Sequence, residues 1–215
     1  MKRFSRMAAG VALFAAASTS QAAVYITEWM YNGDEFIEFT NLGPAAVDFT
    51  GWSYDDDSRT AGTVSLSAFG TVAAGESVIL AERTAVDFRT TWGLSASVKV
   101  IGGNGANLGR NDEINLYDAS NTLVDRLTYG DQNIPGTIRT LNISGNPGSA
   151  AALGANDVAA WVLSAVGDGF GSYAAGDFVA NPGSYEVAAV PEPSTYALML
   201  AGLAAIFGVA RRRVA

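Results

Sequence analysis

The chain has no cysteine and no histidine among its 215 residues. It therefore has no Ser-His-Asp or Cys-His catalytic group, no zinc site with the usual ligands, no thiolate-bound iron-sulfur cluster, no haem ligated by histidine or cysteine, and no disulfide bond. Charged residues make up only 16% of the chain. The chemistry that remains rests on carboxylates, oxygen-ligated metals, Ser-Lys pairs or binding without catalysis.

Positive charge is scarce away from the two ends of the chain. Three of the 13 basic residues fall within positions 2–6 and three more at positions 211–213. The span 23–190 keeps 7 basic residues against 20 acidic ones, a formal net charge of −13. A surface of that sign repels phosphate backbones and attracts cations. We therefore expect no nucleic-acid partner.

Residues 1–22 have the pattern of a secretory signal peptide. A basic start is followed by an apolar run over 7–17 and a short polar stretch, with small residues three positions and one position before a cleavage point between Ala22 and Ala23. About eleven apolar residues are too few to cross a hydrocarbon core of roughly 30 Å. We expect signal peptidase to remove this segment and the domain to be exported.

The C-terminal end has the pattern of a membrane anchor. Residues 194–210 are uncharged and almost wholly apolar, and Arg211, Arg212 and Arg213 follow directly. Seventeen residues span roughly 26 Å as a helix, which is just enough to cross a bilayer. Because positive charge stays on the cytoplasmic side, we expect 211–215 inside the cell and the acidic domain on the periplasmic side.

Pro191, Glu192 and Pro193 precede this apolar stretch, at the end of a spacer over 186–193. Two prolines around one glutamate keep the backbone extended just outside the membrane, where a membrane protease has access to it. The order of motif, apolar helix and arginine triplet resembles the PEP-CTERM sorting signal of Gram-negative bacteria. That resemblance implies recognition by exosortase, an integral-membrane enzyme, and display at the cell surface or release.

Short runs rich in β-branched and aromatic residues recur between the two ends, separated by Gly, Asn, Asp and Pro. In runs such as 98–100 and 114–116, apolar and polar residues alternate as in a sheet with one face in water. The pattern predicts an all-β sandwich with strands at 24–30, 35–40, 47–54, 63–67, 77–81, 97–101, 113–117 and 123–129, and short helices at 85–92 and 155–163. The Gly-, Ala- and Ser-rich stretch 135–172 is either an ordered extension around Trp161 or a partly mobile loop.

The sequence 26–52, with its Glu-Trp-Met-Tyr-Asn-Gly and Asn-Leu-Gly segments, resembles the lamin tail domain. The segments 111–118 and 124–129 continue the resemblance, as do Trp161 and the Asn-Pro-Gly-Ser sequence at 181–184. The resemblance implies an immunoglobulin-like β-sandwich over about 23–185. It also implies that the acidic residues of the first strands belong to the fold.

Aromatic and glutamate residues have both a structural and a functional interpretation. Trp29, Trp52, Trp92 and Trp161 are either sugar-stacking platforms or, as we expect for Trp52, part of the sandwich core. Glu28, Glu35 and Glu38 are either a general acid and base for glycoside cleavage or structural acids, and we favour the second.

Asp55, Asp56 and Asp57 are the densest charge in the chain. Adjacent carboxylates repel one another, so a calcium ion would hold them together through oxygen ligands. Because their spacing is not that of a known calcium loop, a solvated turn is the favoured interpretation. No other cofactor is expected.

Three further groups receive structural interpretations. The glycine-rich stretch 102–109 lacks the Lys-Ser or Lys-Thr of a phosphate loop and is expected to be a connection between strands. The segment 168–177 lacks the regular spacing of an EF-hand. Asp125 shares its strand phase with Leu127 and Tyr129, so burial would oblige it to pair with Arg126, Arg110 or backbone N–H groups.

These features favour a non-enzymatic exported protein, anchored at the inner membrane and then sorted to the surface or extracellular matrix. Its domain would be structural or adhesive, contacting exopolysaccharide or another surface protein. The rival interpretation is a carboxylate- or metal-dependent extracellular hydrolase. Two carboxylates facing each other across a cleft would favour that rival, whereas acids scattered over convex loops would count against it.

Overall fold

The computed structural model describes residues 24–186, which form an almost wholly β structure with one α-helix. The all-β expectation is confirmed. In chain order the strands are β1 (Val24–Met30), β2 (Phe36–Asn41), β3 (Val47–Asp48), β4 (Ser53–Asp55), β5 (Val64–Ser65), β6 (Thr71–Val72), β7 (Ser77–Ala81), β8 (Lys99–Ile101), β9 (Asn111–Tyr117), β10 (Leu123–Gly130), β11 (Gly145–Pro147), β12 (Trp161–Leu163), β13 (Tyr173–Ala175) and β14 (Phe178–Ala180).

Two main sheets make up the sandwich. The larger has six strands in the order β12-β11-β1-β2-β7-β8, antiparallel except for β7 and β8, which are parallel. The smaller has four strands in the order β10-β9-β4-β5, and two short ribbons pair β3 with β6 and β13 with β14. We call the side of the six-stranded sheet that meets the smaller sheet its inner face, and the opposite side its outer face.

The inner face is apolar. Trp29 stacks against Tyr129 of the four-stranded sheet with ring centroids 4.0 Å apart, and Phe49 stacks on Trp52 at 4.6 Å. Aliphatic side chains of both sheets fill the space between these rings, among them Ile26, Ile37, Phe39, Val78, Leu80, Ile114, Leu116 and Leu127. Burying each such side chain contributes roughly 1.5–3 kcal/mol.

The outer face is covered as well, by helix α1 (Ala85–Trp92) and the β13–β14 ribbon. Phe36 packs edge-on against Phe88 and Trp92 of the helix, and Trp92 meets Phe178 of the ribbon. With both faces covered, every residue of β2 is buried, including Glu38. Strand β1 is irregular at Thr27, where a bulge puts Thr27 and Glu28 opposite the single residue Glu38.

Helix α1 has the bounds predicted from the sequence. Its N-terminus is capped by the Thr84 hydroxyl, which accepts a hydrogen bond from the Asp87 N–H at 3.1 Å, and it ends at Gly93 in the left-handed conformation. The helix predicted at 155–163 is wrong. A single 3-10 turn over Val158–Ala160 leads directly into β12, because Trp161 pairs with Pro147 on β11 and fills the core.

Two predicted strands are interrupted. The run 47–54 divides into β3 and β4 around Gly51, whose φ of +82° favours glycine and where an added Cβ would lie 3.1 Å from the Ala119 Cβ. The run 63–67 is a strand only at β5 and then enters the 3-10 turn Ser67–Phe69. The stretch 135–172 is an ordered extension, because β11 and β12 add two strands to the large sheet beside β1.

Candidate functional site

The residues that carry the sorting signals lie outside the described range of 24–186. This applies to the cleavage residues Ala22 and Ala23, to the motif Pro191, Glu192 and Pro193, and to the helix predicted at 194–210 with Arg211, Arg212 and Arg213. Among the described residues, no helix is long and apolar enough to cross a bilayer. Topology and cleavage therefore remain predictions.

The three adjacent aspartates have different surroundings. The buried Asp55 accepts hydrogen bonds through Oδ2 from the Thr60 N–H at 2.7 Å and the Ser58 hydroxyl at 2.8 Å, whereas Asp57 is exposed. Asp56 accepts from the Ser58 N–H at 3.3 Å. Within 24–186 no group of three or more Asp, Glu, His or Cys side chains could hold a metal ion. The bonds within the loop favour a turn held by its own side chains.

A polar groove of about 280 Å³ opens beside this turn. It lies where β9 and β10 meet, and the loop after β10 closes one side of it. Most of its lining residues carry polar side chains: Asp57, Arg59, Asn111, Asp112, Glu113, Thr128, Tyr129, Gly130, Asn133 and Ile134. Of the three aspartates in the turn, only Asp57 reaches it.

An ion pair forms the centre of the groove. The Arg59 guanidinium donates from Nε to Glu113 Oε2 at 2.7 Å and from a terminal nitrogen to Oε1, so the pair is bidentate. Thr128, the register partner of Glu113 on β10, donates its hydroxyl to Oε1 at 3.0 Å, and Asn115 donates to Oε2 at 3.3 Å. The hydrogen bond from Arg59 lowers the pKa of Glu113 to about 2. Glu113 therefore stays ionised and cannot exchange a proton near neutral pH.

The rest of the groove offers hydrogen-bonding groups. Asp112 is half-buried and accepts from the Gly109 N–H and, at 2.8 Å, from the Glu113 N–H, while burial raises its pKa. Asp57 and Asn133 are exposed at the rim. Carboxylate, amide and guanidinium groups in one lining suit a ligand rich in hydroxyl groups.

The glutamates considered for glycoside cleavage do not face solvent. Glu28 and Glu38 are register partners on β1 and β2, fully buried on the outer face, and Glu35 is 5% exposed. Glu35 accepts a hydrogen bond from the Leu108 N–H at 2.8 Å, away from the other two. Substrate cannot reach the Glu28–Glu38 pair, so the structural interpretation holds for these acids.

All four tryptophans are buried, and none is more than 6% exposed. Trp29, Trp52 and Trp161 belong to the inner core, and Trp92 belongs to the cluster on the outer face. None presents a ring to a sugar, so the expectation that Trp52 fills the core extends to all of them.

Asp125 finds backbone partners, as burial of its face required. Its Oδ2 accepts from the Ile26 N–H of β1 at 2.9 Å and its Oδ1 from the Arg126 N–H at 2.7 Å. The first bond joins the two sheets next to the bulge in β1. Burial raises the pKa of Asp125 to about 6.

The two loops considered for ligands are organised by their own backbone. In 102–109, the N–H groups of Gly103 and Asn104 donate to the carbonyls of Arg83 and Ala81, and a Cβ at Gly102 would lie 2.2 Å from the Ala85 nitrogen. In 168–177, the Asp168 carboxylate accepts from the N–H groups of Ala165, Phe170 and Ser172. Both arrangements favour a structural role.

Sequence reasoning missed Arg59, Thr128 and Asn133 as members of one site. Arg59 is 54 residues from Glu113 and has a positive φ of 55°. Neither its backbone conformation nor its pairing with Glu113 can be predicted from hydrophobic periodicity. The one available signal was the alternation in β9 and β10, which places Glu113 and Thr128 on the face turned away from the core.

A scan against protein-family models matches the Lamin Tail Domain over residues 17–131 and the PEP-CTERM protein-sorting motif over 189–214. The first match covers more than half of the chain and ends just after β10, so β11–β14 lie beyond it. No curated protein and no solved structure matches the chain. The sorting motif makes the protein an exported one that exosortase sorts to the surface. The chain belongs to the lamin tail domain family and ends in a PEP-CTERM sorting motif.

Proposed function

We propose that this protein is a non-enzymatic component of the cell surface or extracellular matrix whose β domain binds exopolysaccharide through the Arg59–Glu113 groove. Signal peptidase removes 1–22, the helix at 194–210 holds the chain in the inner membrane with its domain in the periplasm, and exosortase then acts at the motif around Glu192.

The observation that carries the proposal is the sorting motif directly behind a closed acidic β domain. The groove supplies hydrogen-bond donors from Arg59 and Asn133 and acceptors from Asp57 and Asp112 on one wall. Planar polar groups of this kind bind pairs of neighbouring hydroxyls.

The charge of the domain supports a partner other than nucleic acid. Its 20 acidic residues against 7 basic ones, counted over 23–190, repel phosphate. The ion pair at Glu113 also argues against a hydrolase here, because a carboxylate with a pKa of about 2 cannot act as a general acid.

The sorting step is tested by fractionating cells with and without exosortase and measuring the C-terminal mass of the protein. With exosortase, we expect a product that lacks Arg211, Arg212 and Arg213 and is found at the surface or in the medium. Without it, we expect the intact C-terminus in the inner membrane. An intact C-terminus in the inner membrane of both strains would contradict the proposal.

The binding step is tested by titrating the purified protein with exopolysaccharide from the producing cells. Asp57→Ala and Asn133→Ala are expected to weaken binding at least threefold each, because both side chains line the rim of the groove. Asn107→Ala is the matched control, since Asn107 is an exposed asparagine outside the groove. If Asp57→Ala and Asn133→Ala bind the polysaccharide as tightly as the Asn107→Ala control does, the groove is not the binding site.

Repeating the titration with calcium and with a chelator tests whether calcium takes part in binding at Asp57. If calcium bridges Asp57 and the polysaccharide, chelation and Asp57→Ala reduce affinity to the same extent and not additively. An unchanged affinity in chelator assigns binding to direct hydrogen bonds alone.

A further inference from the structure

Two carboxylates face each other inside the outer layer of the domain. Glu28 on β1 and Glu38 on β2 are direct partners in the antiparallel register, and both side chains have no exposed surface. Directly opposed residues in a sheet have Cβ atoms about 4.5–5.5 Å apart. Like charges at that separation destabilise the sheet, so the pair does not readily ionise at both positions.

The segment 181–184 lies over this pair and is attached to it by backbone hydrogen bonds. The Asn181 N–H donates to Glu28 Oε1 at 2.8 Å, and the Gly183 N–H donates to Glu38 Oε2 at 2.6 Å. The segment is 145–153 residues away from these acids along the chain. The first hairpin of the domain therefore holds its last described segment.

Side chains around the acids complete the attachment. The Ser144 hydroxyl donates to Glu28, the Thr27 hydroxyl donates to Glu38 Oε1 at 2.8 Å, and the Asn146 amide donates to the Asn181 side chain at 2.9 Å. The second oxygen of Glu28 is buried without a hydrogen-bond partner among the described residues. A proton on that oxygen removes the charge without breaking any of these bonds.

The other titratable groups that face the pair are acidic or neutral. Asp168, in the loop before β13, adds negative charge near Glu28, and the Tyr173 hydroxyl on β13 also senses Glu28. Burial is the main reason that the pKa of Glu28 lies well above its usual value and that of Glu38 is raised to about 7. Burial thus favours a pair that keeps a proton over one in which both carboxylates are ionised.

We propose that Glu28 and Glu38 form a pH-sensitive clamp that fastens the segment 181–184 to the outer face and opens when both carboxylates become ionised. Two buried negative charges repel each other. The repulsion decreases when the two carboxylates move apart or when water reaches them. Because the segment 181–184 is attached to both acids, its movement would expose them to water together.

The clamp sets the length of chain between the folded domain and the sorting motif, a consequence that rests on the proposed function. Pro191 follows Ser184 by seven residues, so a closed clamp keeps the motif within about 25 Å of the sheet at roughly 3.6 Å per residue. Opening back to Ala180, the end of β14, gives eleven residues and about 40 Å. The open clamp lets exosortase work farther from the domain.

The test is amide hydrogen exchange on the purified full-length chain in mild detergent, from pH 6 to 8.5, corrected for intrinsic exchange rates. The protection of the Asn181 and Gly183 amides is expected to fall at least tenfold more than that of Leu116 in the inner core. A fall of equal size at all three amides overturns the proposal without any variant.

Two variants separate the clamp from a general effect of buried acids. The double variant Glu28→Gln and Glu38→Gln keeps an oxygen for each N–H and removes the charges, so protection at Asn181 and Gly183 is expected to lose its extra pH dependence. Glu35→Gln is the matched control, because Glu35 is a buried glutamate that accepts a backbone N–H elsewhere. If Glu35→Gln flattens the profile as the double variant does, the clamp is disproved.

These measurements need no exosortase and no polysaccharide. A failed clamp therefore leaves the proposed sorting and binding untouched, and failed sorting leaves the clamp standing.

Discussion

The two faces of the six-stranded sheet are both buried, but by different chemistry. The inner face meets the four-stranded sheet through rings and aliphatic side chains, with Trp29 against Tyr129 at its centre. The outer face is apolar only near α1 and is polar around Glu28 and Glu38, where hydroxyls, amides and backbone N–H groups surround the acids. Burial of the inner face is favourable in itself, whereas burial of the polar part depends on every hydrogen bond being made.

These two kinds of burial respond differently to solution conditions. An apolar contact does not titrate, so the aromatic and aliphatic contacts of the inner face are expected to respond to temperature and denaturant. On that side only the buried acids beside these contacts, Glu35 and Asp125, are expected to respond to pH. A buried carboxylate exchanges a proton with solvent whenever the fold opens, so the outer face responds to pH as well.

Trp29→Ala is expected to have the largest effect. Removing the indole leaves a cavity beneath Tyr129 and costs about 3–5 kcal/mol of the free energy of unfolding. Urea denaturation measures it. Val86→Ala, at a helix position that is 71% exposed, is the control and should change the free energy by less than about 0.5 kcal/mol. If Trp29→Ala also changed the free energy of unfolding by less than about 0.5 kcal/mol, the inner face would not be the main source of stability.

Stability is next expected to fall as pH rises from 5 to 8. Burial raises the pKa of Glu35 to about 8, of Glu38 to about 7 and of Asp125 to about 6, so the folded chain binds protons that the unfolded chain releases near its ordinary values. Their contribution is complete below the unfolded pKa values and is lost as pH rises through the folded values, by several kcal/mol in all. Urea titrations at several pH values measure this.

Below about pH 4, the free energy of unfolding is expected to fall as the pH falls. The pKa of Glu113 is lowered to about 2 by its bond from Arg59, so its contribution is present above the unfolded pKa and disappears as pH falls toward 2. A stability maximum near pH 4–5 follows. A profile that rises steadily from pH 5 to 8 would contradict the protonated state assigned to these buried acids.

Glu38→Ala is expected to have an intermediate effect, a loss of about 1–3 kcal/mol. The change leaves the Gly183 N–H without its acceptor and removes one of the two side-chain partners of the Thr27 hydroxyl, which keeps Thr40. Thermal unfolding measures the loss, and Glu82→Ala serves as the control because Glu82 is an exposed acid. If both variants melted alike, the polar part of the outer face would not depend on its hydrogen bonds.

Arg59→Gln is expected to have the smallest effect on stability, because the Arg59 side chain is 55% exposed. Its clear consequence is local. The pKa of Glu113 should rise from about 2 toward its ordinary value, which carboxyl carbon shifts measured by NMR would report. An unmoved titration would mean that Thr128 and Asn115, and not Arg59, hold the charge.

Apolar alternation predicted the inner face well. The strands at 24–30 and 77–81 and the helix at 85–92 have the bounds that the residue pattern gives. Ile114 and Leu116 lie in the core as expected, because alternate side chains of a strand point to one side.

The same alternation failed for polar residues. Asn115 was expected to face water and is fully buried, because Arg126 and the Asp56 carbonyl engage its side chain. Glu28 and Glu38 were expected to be structural acids and are buried, but no local pattern indicated what covers them, since the segment 181–184 is more than 140 residues away. A local sequence pattern shows which residues are polar, but it does not show which distant segments cover them.

The candidate site was only partly predictable for the same reason. Asp57 stood out as part of a dense cluster of charge, but its neighbours Arg59 and Thr128 gain meaning only through the pairing of β9 with β10 and the turn after β4.

By itself, the sequence determined the all-β character, the family, the sorting motif and the exclusion of thiol and imidazole chemistry, because these depend on residue types and short-range order. Only the tertiary structure decided which carboxylates are buried, which are paired and which line the groove. A carboxylate's protonation depends on its surroundings in three dimensions, and those surroundings come from distant parts of the chain.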